Sequence, residues 1–90
     1  MDKHIIIQIS GRVHGVWFRK SAQDVAQELG LVGFTRNNSD GTVTIEACGT
    51  EAEIKQLIKW CHEGSKSARV DDVKYIIDDK SCNYKDFKIL

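Results

Sequence analysis

Asn37-Asn38-Ser39-Asp40-Gly41-Thr42-Val43-Thr44-Ile45-Glu46-Ala47-Cys48 reads as the turn and second strand of a β-hairpin. Asp-Gly takes the positive φ angles of a tight turn at little cost, and it stands here between two apolar-patterned runs. After it, Val43, Ile45 and Ala47 alternate strictly with Thr44 and Glu46, which predicts a strand over 42–48 with those three inward. Before it, Leu31 to Asn38 predicts the pairing strand, with Phe34 as its apolar anchor.

Toward the N-terminus, His4 to Ser10 predicts a β-branched strand with Ile5, Ile7 and Ile9 on one face and Ile6, Gln8 and Ser10 on the other. Phe18, Ala22, Val25, Ala26 and Leu29 then fall on one helical stripe, and Gly30 is suited to stop that helix. Two starts are open. Ser21 with Asp24 resembles a capping box that begins the helix at Ala22, whereas Phe18 on the stripe begins it a turn earlier.

Toward the C-terminus, Gly49 ends the strand and Thr50 with Glu53 makes a capping box. Ile54, Leu57, Ile58 and Cys61 mark the inner face of a second helix, and His62 in its last turn suits the negative helix end. A loop over 63–67 precedes a strand over 70–79 carrying Val73, Tyr75 and Ile77, and a short last piece spans Tyr84 to Ile89. The order is β-α-β-β-α-β plus a small terminal strand. Right-handed crossovers turn that order into an α+β, ferredoxin-like two-layer sandwich, with two helices on one face of an antiparallel sheet. The first and third strands are then central neighbours, and the loop after the first strand shares a sheet end with Asn37.

Ninety residues, 41% hydrophobic and 29% charged, make one domain over 1–90 with a single core. The formal net charge of zero argues against nucleic acid or an acidic membrane surface as partner. Met1-Asp2-Lys3-His4 has no signal-peptide pattern, and no apolar run approaches the roughly 18 residues of a membrane span. Cys48, Cys61 and Cys82 are too widely spaced for a metal knuckle, and the expectation is three reduced thiols in a cytoplasmic protein.

The chemistry gathers at Ser10-Gly11-Arg12-Val13-His14-Gly15-Val16-Trp17-Phe18-Arg19-Lys20. A glycine-bearing loop between a strand and a helix start turns free N–H groups toward an anion. Arg19 is the best-placed cation, since its planar guanidinium matches phosphate with two hydrogen bonds. Arg12 and Lys20 read as solvated. His14 has no neighbouring carboxylate or paired nucleophile and reads as a backbone donor. Trp17, beside Phe18, reads as packing. Asn37 carries an amide that both donates and accepts, and so can hold a water in a fixed direction. Paired carboxylates at acid–base spacing, HExxH, a Walker lysine and a Rossmann fingerprint are all missing from the sequence. Such an inventory suits positioning and electrostatics on an activated phosphoryl compound, best a mixed anhydride whose carboxylate leaves without a proton.

Gly11-Arg12-Val13-His14-Gly15-Val16-Trp17-Phe18-Arg19 closely resembles the signature loop of the acylphosphatase family, G-R-V-x-G-V-x-F-R. A second block, Leu29-Gly30-Leu31-Val32-Gly33-Phe34 through Asn37 to Asp40-Gly41-Thr42-Val43, matches in register, and a weaker likeness reaches Tyr84-Lys85-Asp86-Phe87. The resemblance implies metal-free hydrolysis of small-molecule acyl phosphates, with no cofactor expected, and nothing in the sequence requires more than a monomer. It implies that Arg19 binds the phosphate, that the N–H groups of His14, Gly15, Val16, Trp17, Phe18 and Arg19 cradle it, and that Asn37 orients the attacking water. His14 stands where the family usually has Gln, Asn38 where many members have Thr, and Phe34 where Trp is frequent. The alternative is a non-catalytic module of the same fold, like the acylphosphatase-like domain of a hydrogenase maturation factor. An RNA-binding sheet is disfavoured because neither central strand carries an aromatic residue for base stacking.

Overall fold

Ile5, Ile7 and Ile9 are completely buried while Ile6 is 43% exposed, so one face of the first strand carries the core. The computed structural model describes residues 2–90; Met1, which opens the lead-in to this strand, lies outside the described residues. Along the chain come β1 (Lys3–Arg12), α1 (Phe18–Leu29), β2 (Val32–Asn37), β3 (Val43–Gly49), α2 (Glu51–Glu63), β4 (Arg69–Asp78) and β5 (Phe87–Ile89). The sheet order is β4-β1-β3-β2-β5, with β1 and β3 adjacent as expected. Both helices cover one face and close the core over Ile5, Ile7, Ile9, Val43, Ile45 and Ala47. β1 runs past its expected end to Arg12 because a register shift at Ser10/Gly11 lets it keep pairing with β4.

Local signals explain most element ends. α1 starts at Phe18, the earlier of the two starts, and Gly30 closes it in the left-handed region with its N–H bonded to the Gln27 carbonyl. α2 begins in the complete Thr50–Glu53 capping box. Ile54, Leu57 and Cys61 are its buried positions.

The sheet is mixed. β1–β3, β1–β4 and β2–β3 are antiparallel as expected, and the short extra strand β5, whose direction the sequence left open, lies parallel to β2. β4 ends at the sheet end opposite Asn37. The connector from Asp79 to Asp86 crosses that end to the far edge, and the chain must then rise in the same sense as β2.

Phe34 is not a core anchor. Gly33 and Thr35 take the core side of β2, and Phe34 faces outward with Tyr84 edge-on at 5.8 Å and the Arg36 guanidinium 5.6 Å from its ring centre. On the same outer face His4, only 2% exposed, is bracketed by Glu46 at 2.7 Å and Asp78 at 2.9 Å. The Lys80 N–H, and then the His4 ring, hold the Asp78 carboxyl below its ordinary range.

The thiols also differ from expectation. Cys48 and Cys82 form a disulfide with Cα atoms 6.3 Å apart, tying the crossing connector to the end of β3. Their spacing of 34 residues carries no sign of this pairing; the path of the connector brings them together. Disulfides persist in oxidising surroundings, so this one removes the thiol argument for a cytoplasmic protein. Cys61 is the free cysteine among the described residues, and burial pushes its thiol up to about 12. No helix among the described residues is long and apolar enough to cross a membrane.

Candidate active site

β1, β2 and β3 bring three pieces of chain to one end of the sheet. Ile9 and Asn37 both pair with Val43, so the loop leaving β1 and the turn leaving β2 are separated only by the start of β3. The loop of residues 13–17 then leads into α1. Val13 and Val16 turn into the core, while His14, Gly15 and Trp17 face solvent.

Two left-handed residues shape the loop. Gly15 has φ 68°, which a side chain strains, and Trp17 has φ 62° as the only non-glycine residue with positive φ among those described. Trp17 is the N-cap of α1, yet no side chain caps the helix and no acidic residue stands in its first turn. The first N–H groups of a helix have no intrahelical acceptor. No acceptor among the described residues takes the N–H groups of Gly15, Val16 or Trp17. These donors directly precede the positive end of α1.

The loop is held from three directions. Ser65, buried in the turn after α2, donates to the Val16 carbonyl at 2.7 Å. The Ser21 N–H bonds the Trp17 carbonyl at 3.0 Å. His14 Nε2 donates to the Thr42 carbonyl at 2.9 Å, joining the loop to the hairpin.

Arg19 sits in the first turn of α1, partly exposed, with Nη1 donating to the Leu90 carbonyl at 3.3 Å. The Leu90 N–H in turn bonds the Thr35 carbonyl at 2.9 Å, two residues before Asn37 on the same strand. β5 and the residue after it thus tie Arg19 to the strand that carries Asn37. Arg12 and Lys20 are exposed, and Lys20 pairs with Asp24 at 3.1 Å, in line with their reading as solvated charges.

Asn37 lies on the helix-covered face of β2, and its Oδ1 is buried without a hydrogen-bond partner among the described residues. Thr35 Oγ1, two residues earlier on that face, is also unpartnered. Buried polar atoms are nearly always paired, which sets the unpartnered Asn37 Oδ1 at the sheet end apart from the rest of the strand. Asn38 turns away and donates to Thr42 Oγ1 at 2.9 Å and Thr44 Oγ1 at 2.8 Å, so it braces the turn. Asp40 accepts from the Thr42 hydroxyl, its strongest interaction, and from the Thr42 N–H; both hold its carboxyl below the ordinary range.

An open groove of about 540 Å³ runs along the loop, lined by Val13, Gly15, Trp17, Phe18, Arg19, Lys20 and Ile89. Trp17 is 78% exposed on its wall, which overturns the expectation that it packs. Phe18 alone goes inward, where it meets Trp60 at 5.1 Å. Sequence reasoning did not find Ser65, Thr35, Ile89 or Leu90. Each acts through a long-range contact, and no local motif signals one.

No group of three metal-ligating side chains occurs among the described residues. Fold and loop together describe an α+β sandwich with uncapped N–H groups where the first loop meets α1, and comparison with known proteins narrows the class. The acylphosphatase family model matches residues 5–89. An acylphosphatase of Shewanella amazonensis is 40% identical over 87 residues, 97% of this chain and 96% of its own length. The structure of an acylphosphatase from Coxiella burnetii superposes with TM-score 0.94 at 36% identity, covering 99% of this chain and 93% of that one. Full-length HypF in its phosphate- and nucleotide-bound form superposes with TM-score 0.90 at 32% identity, but there this chain corresponds to only 12% of the larger protein. The chain belongs to the acylphosphatase family of enzymes.

Proposed function

We propose that this chain hydrolyses the carboxyl–phosphate bond of acyl phosphates, giving a carboxylate and inorganic phosphate. The observation that carries the reading is the buried, unpartnered Asn37 Oδ1 at the sheet end where the loop N–H groups open. The 90 residues act as one domain, and a monomer suffices because both halves of the site belong to one chain.

In this reading the phosphoryl oxygens lie in the cradle of N–H groups from His14 to Arg19, with the Arg19 guanidinium alongside. Preorganised donors in a fixed geometry stabilise the charge that builds up on the phosphoryl oxygens during transfer. Asn37 Oδ1 accepts a hydrogen from water and points its oxygen at phosphorus, opposite the leaving group. The new P–O bond forms from that water, and the bond between phosphorus and the acyl oxygen breaks. Its electron pair leaves with the carboxylate, and the water's proton passes to a phosphoryl oxygen. A carboxylate is a good leaving group, so no general acid is required. Charge neutralisation by Arg19 and the backbone assigns no step to a metal or cofactor.

Phosphate release from acetyl phosphate, measured with chelator present, tests the reading. Arg19→Ala and Asn37→Ala are each expected to lower kcat by about 10²–10³-fold, the loss typical of a single preorganised oxyanion donor, with native-like circular dichroism. Activity that survives both substitutions overturns the site. An inert parent protein that still binds phosphate supports the accessory anion-binding module instead.

A further inference from the structure

We infer that Trp17 and Ile89 form a subsite for the acyl group of the substrate, and that it selects aromatic over small acyl groups. The inference rests on the acyl phosphate reading above and adds a substrate class to it.

Trp17 departs from two ordinary preferences at once. It holds a left-handed backbone conformation that disfavours side-chain-bearing residues, and it leaves 78% of its surface in water beside a groove. Strain of this kind persists where the surrounding structure imposes it, and it clusters at ligand sites. The indole stays outside the core that takes Phe18. Ile89, 38% exposed, borders the same groove.

The groove's volume of about 540 Å³ is that of a small-molecule site, well beyond the needs of a phosphate group alone. A phosphate held at the N–H groups places its acyl substituent in the rest of the groove. Lys20, the other cation on the wall, is engaged by Asp24 at 3.1 Å and Gln23 at 3.3 Å, which argues against an anionic acyl group. A flat, exposed indole beside an aliphatic side chain suits an aromatic ring.

The test compares kcat/KM for benzoyl phosphate and acetyl phosphate in the parent, Trp17→Gly and Ile89→Ala. Glycine is at ease at φ 62°, so Trp17→Gly keeps the backbone, and the ratio of the two substrates cancels any common damage to the cradle. The parent is expected to favour benzoyl phosphate by about tenfold or more, Trp17→Gly to reduce that ratio about tenfold, and Ile89→Ala about threefold. A ratio unchanged within twofold in Trp17→Gly overturns the subsite even where both substrates turn over.

Binding of non-hydrolysable analogues separates this outcome from failure of the hydrolase reading. Phenacylphosphonate is expected to shift the indole N–H resonance that Trp17→Gly removes, leaving the Trp60 signal in place, whereas acetonylphosphonate leaves both unmoved. That result upholds the subsite with or without turnover. Equal shifts from both analogues, or none from either, overturn it.

Discussion

His14 Nε2 lies 2.9 Å from the Thr42 carbonyl, and that same carbonyl accepts the Asn38 N–H at 2.8 Å. One oxygen therefore joins the loop after β1 to the turn that follows Asn37. A carbonyl only accepts, so the ring must present an N–H from Nε2.

Under the proposed function, this link gives His14 a positioning role. His14→Ala is expected to lower kcat by about tenfold, because small displacements of positioned groups are costly in rate, with a small loss of stability. His14→Gln keeps an amide donor at similar reach and is expected to restore most of the rate. Steady-state kinetics and thermal melts on the two variants check this; a silent His14→Ala removes the link from the mechanism.

Gly15 at φ 68° has no atom within 4 Å of where a Cβ would stand, so a side chain there meets strain and no clash. Gly15→Ala is expected to destabilise the fold by only about 1 kcal/mol, the cost of a left-handed non-glycine residue. Its larger effect should be on phosphate affinity, since relaxation of the strain turns the neighbouring N–H groups. Isothermal titration with inorganic phosphate beside urea unfolding separates the two quantities.

The Cys48–Cys82 bond closes a loop of 34 residues in sequence separation. Loop-closure entropy predicts a loss of roughly 3–4 kcal/mol when it is opened. Urea midpoints are therefore expected to fall on adding reductant, and Cys82→Ser should match the reduced parent. The bond lies at the sheet end opposite the site, so kcat under folded conditions should change little. Equal midpoints with and without reductant refute the stabilising role.

Asp40 is lowered below its ordinary value of 3.8 by the Thr42 hydroxyl and N–H. A carboxyl whose folded value is depressed binds protons less readily in the folded state. Its stabilisation is full above 3.8 and is lost as the pH falls through the lower folded value. Asp40→Ala is expected to melt below the parent near neutral pH, and the two curves should converge under strongly acid conditions. A difference in melting temperature that persists at low pH contradicts this assignment.

Elements with a local cause are legible in neighbouring residues. Asp40-Gly41, the alternation from Val43 to Ala47, the Thr50–Glu53 box and the Gly30 stop are each satisfied within a few residues of the signal. Element order and crossover handedness then brought Arg19 and Asn37 to one sheet end. The tertiary structure decided what depends on residues distant in the chain. It chose Phe18 over Ala22 as the start of α1, set β5 parallel to β2, and turned Phe34 outward against Tyr84. It paired Cys48 with Cys82, left Asn37 Oδ1 without a partner, and put Trp17 in solvent. Short-range hydrogen bonding and periodicity are written in neighbouring residues. The partners of a side chain that crosses from one strand or loop to another exist only once the layers have packed.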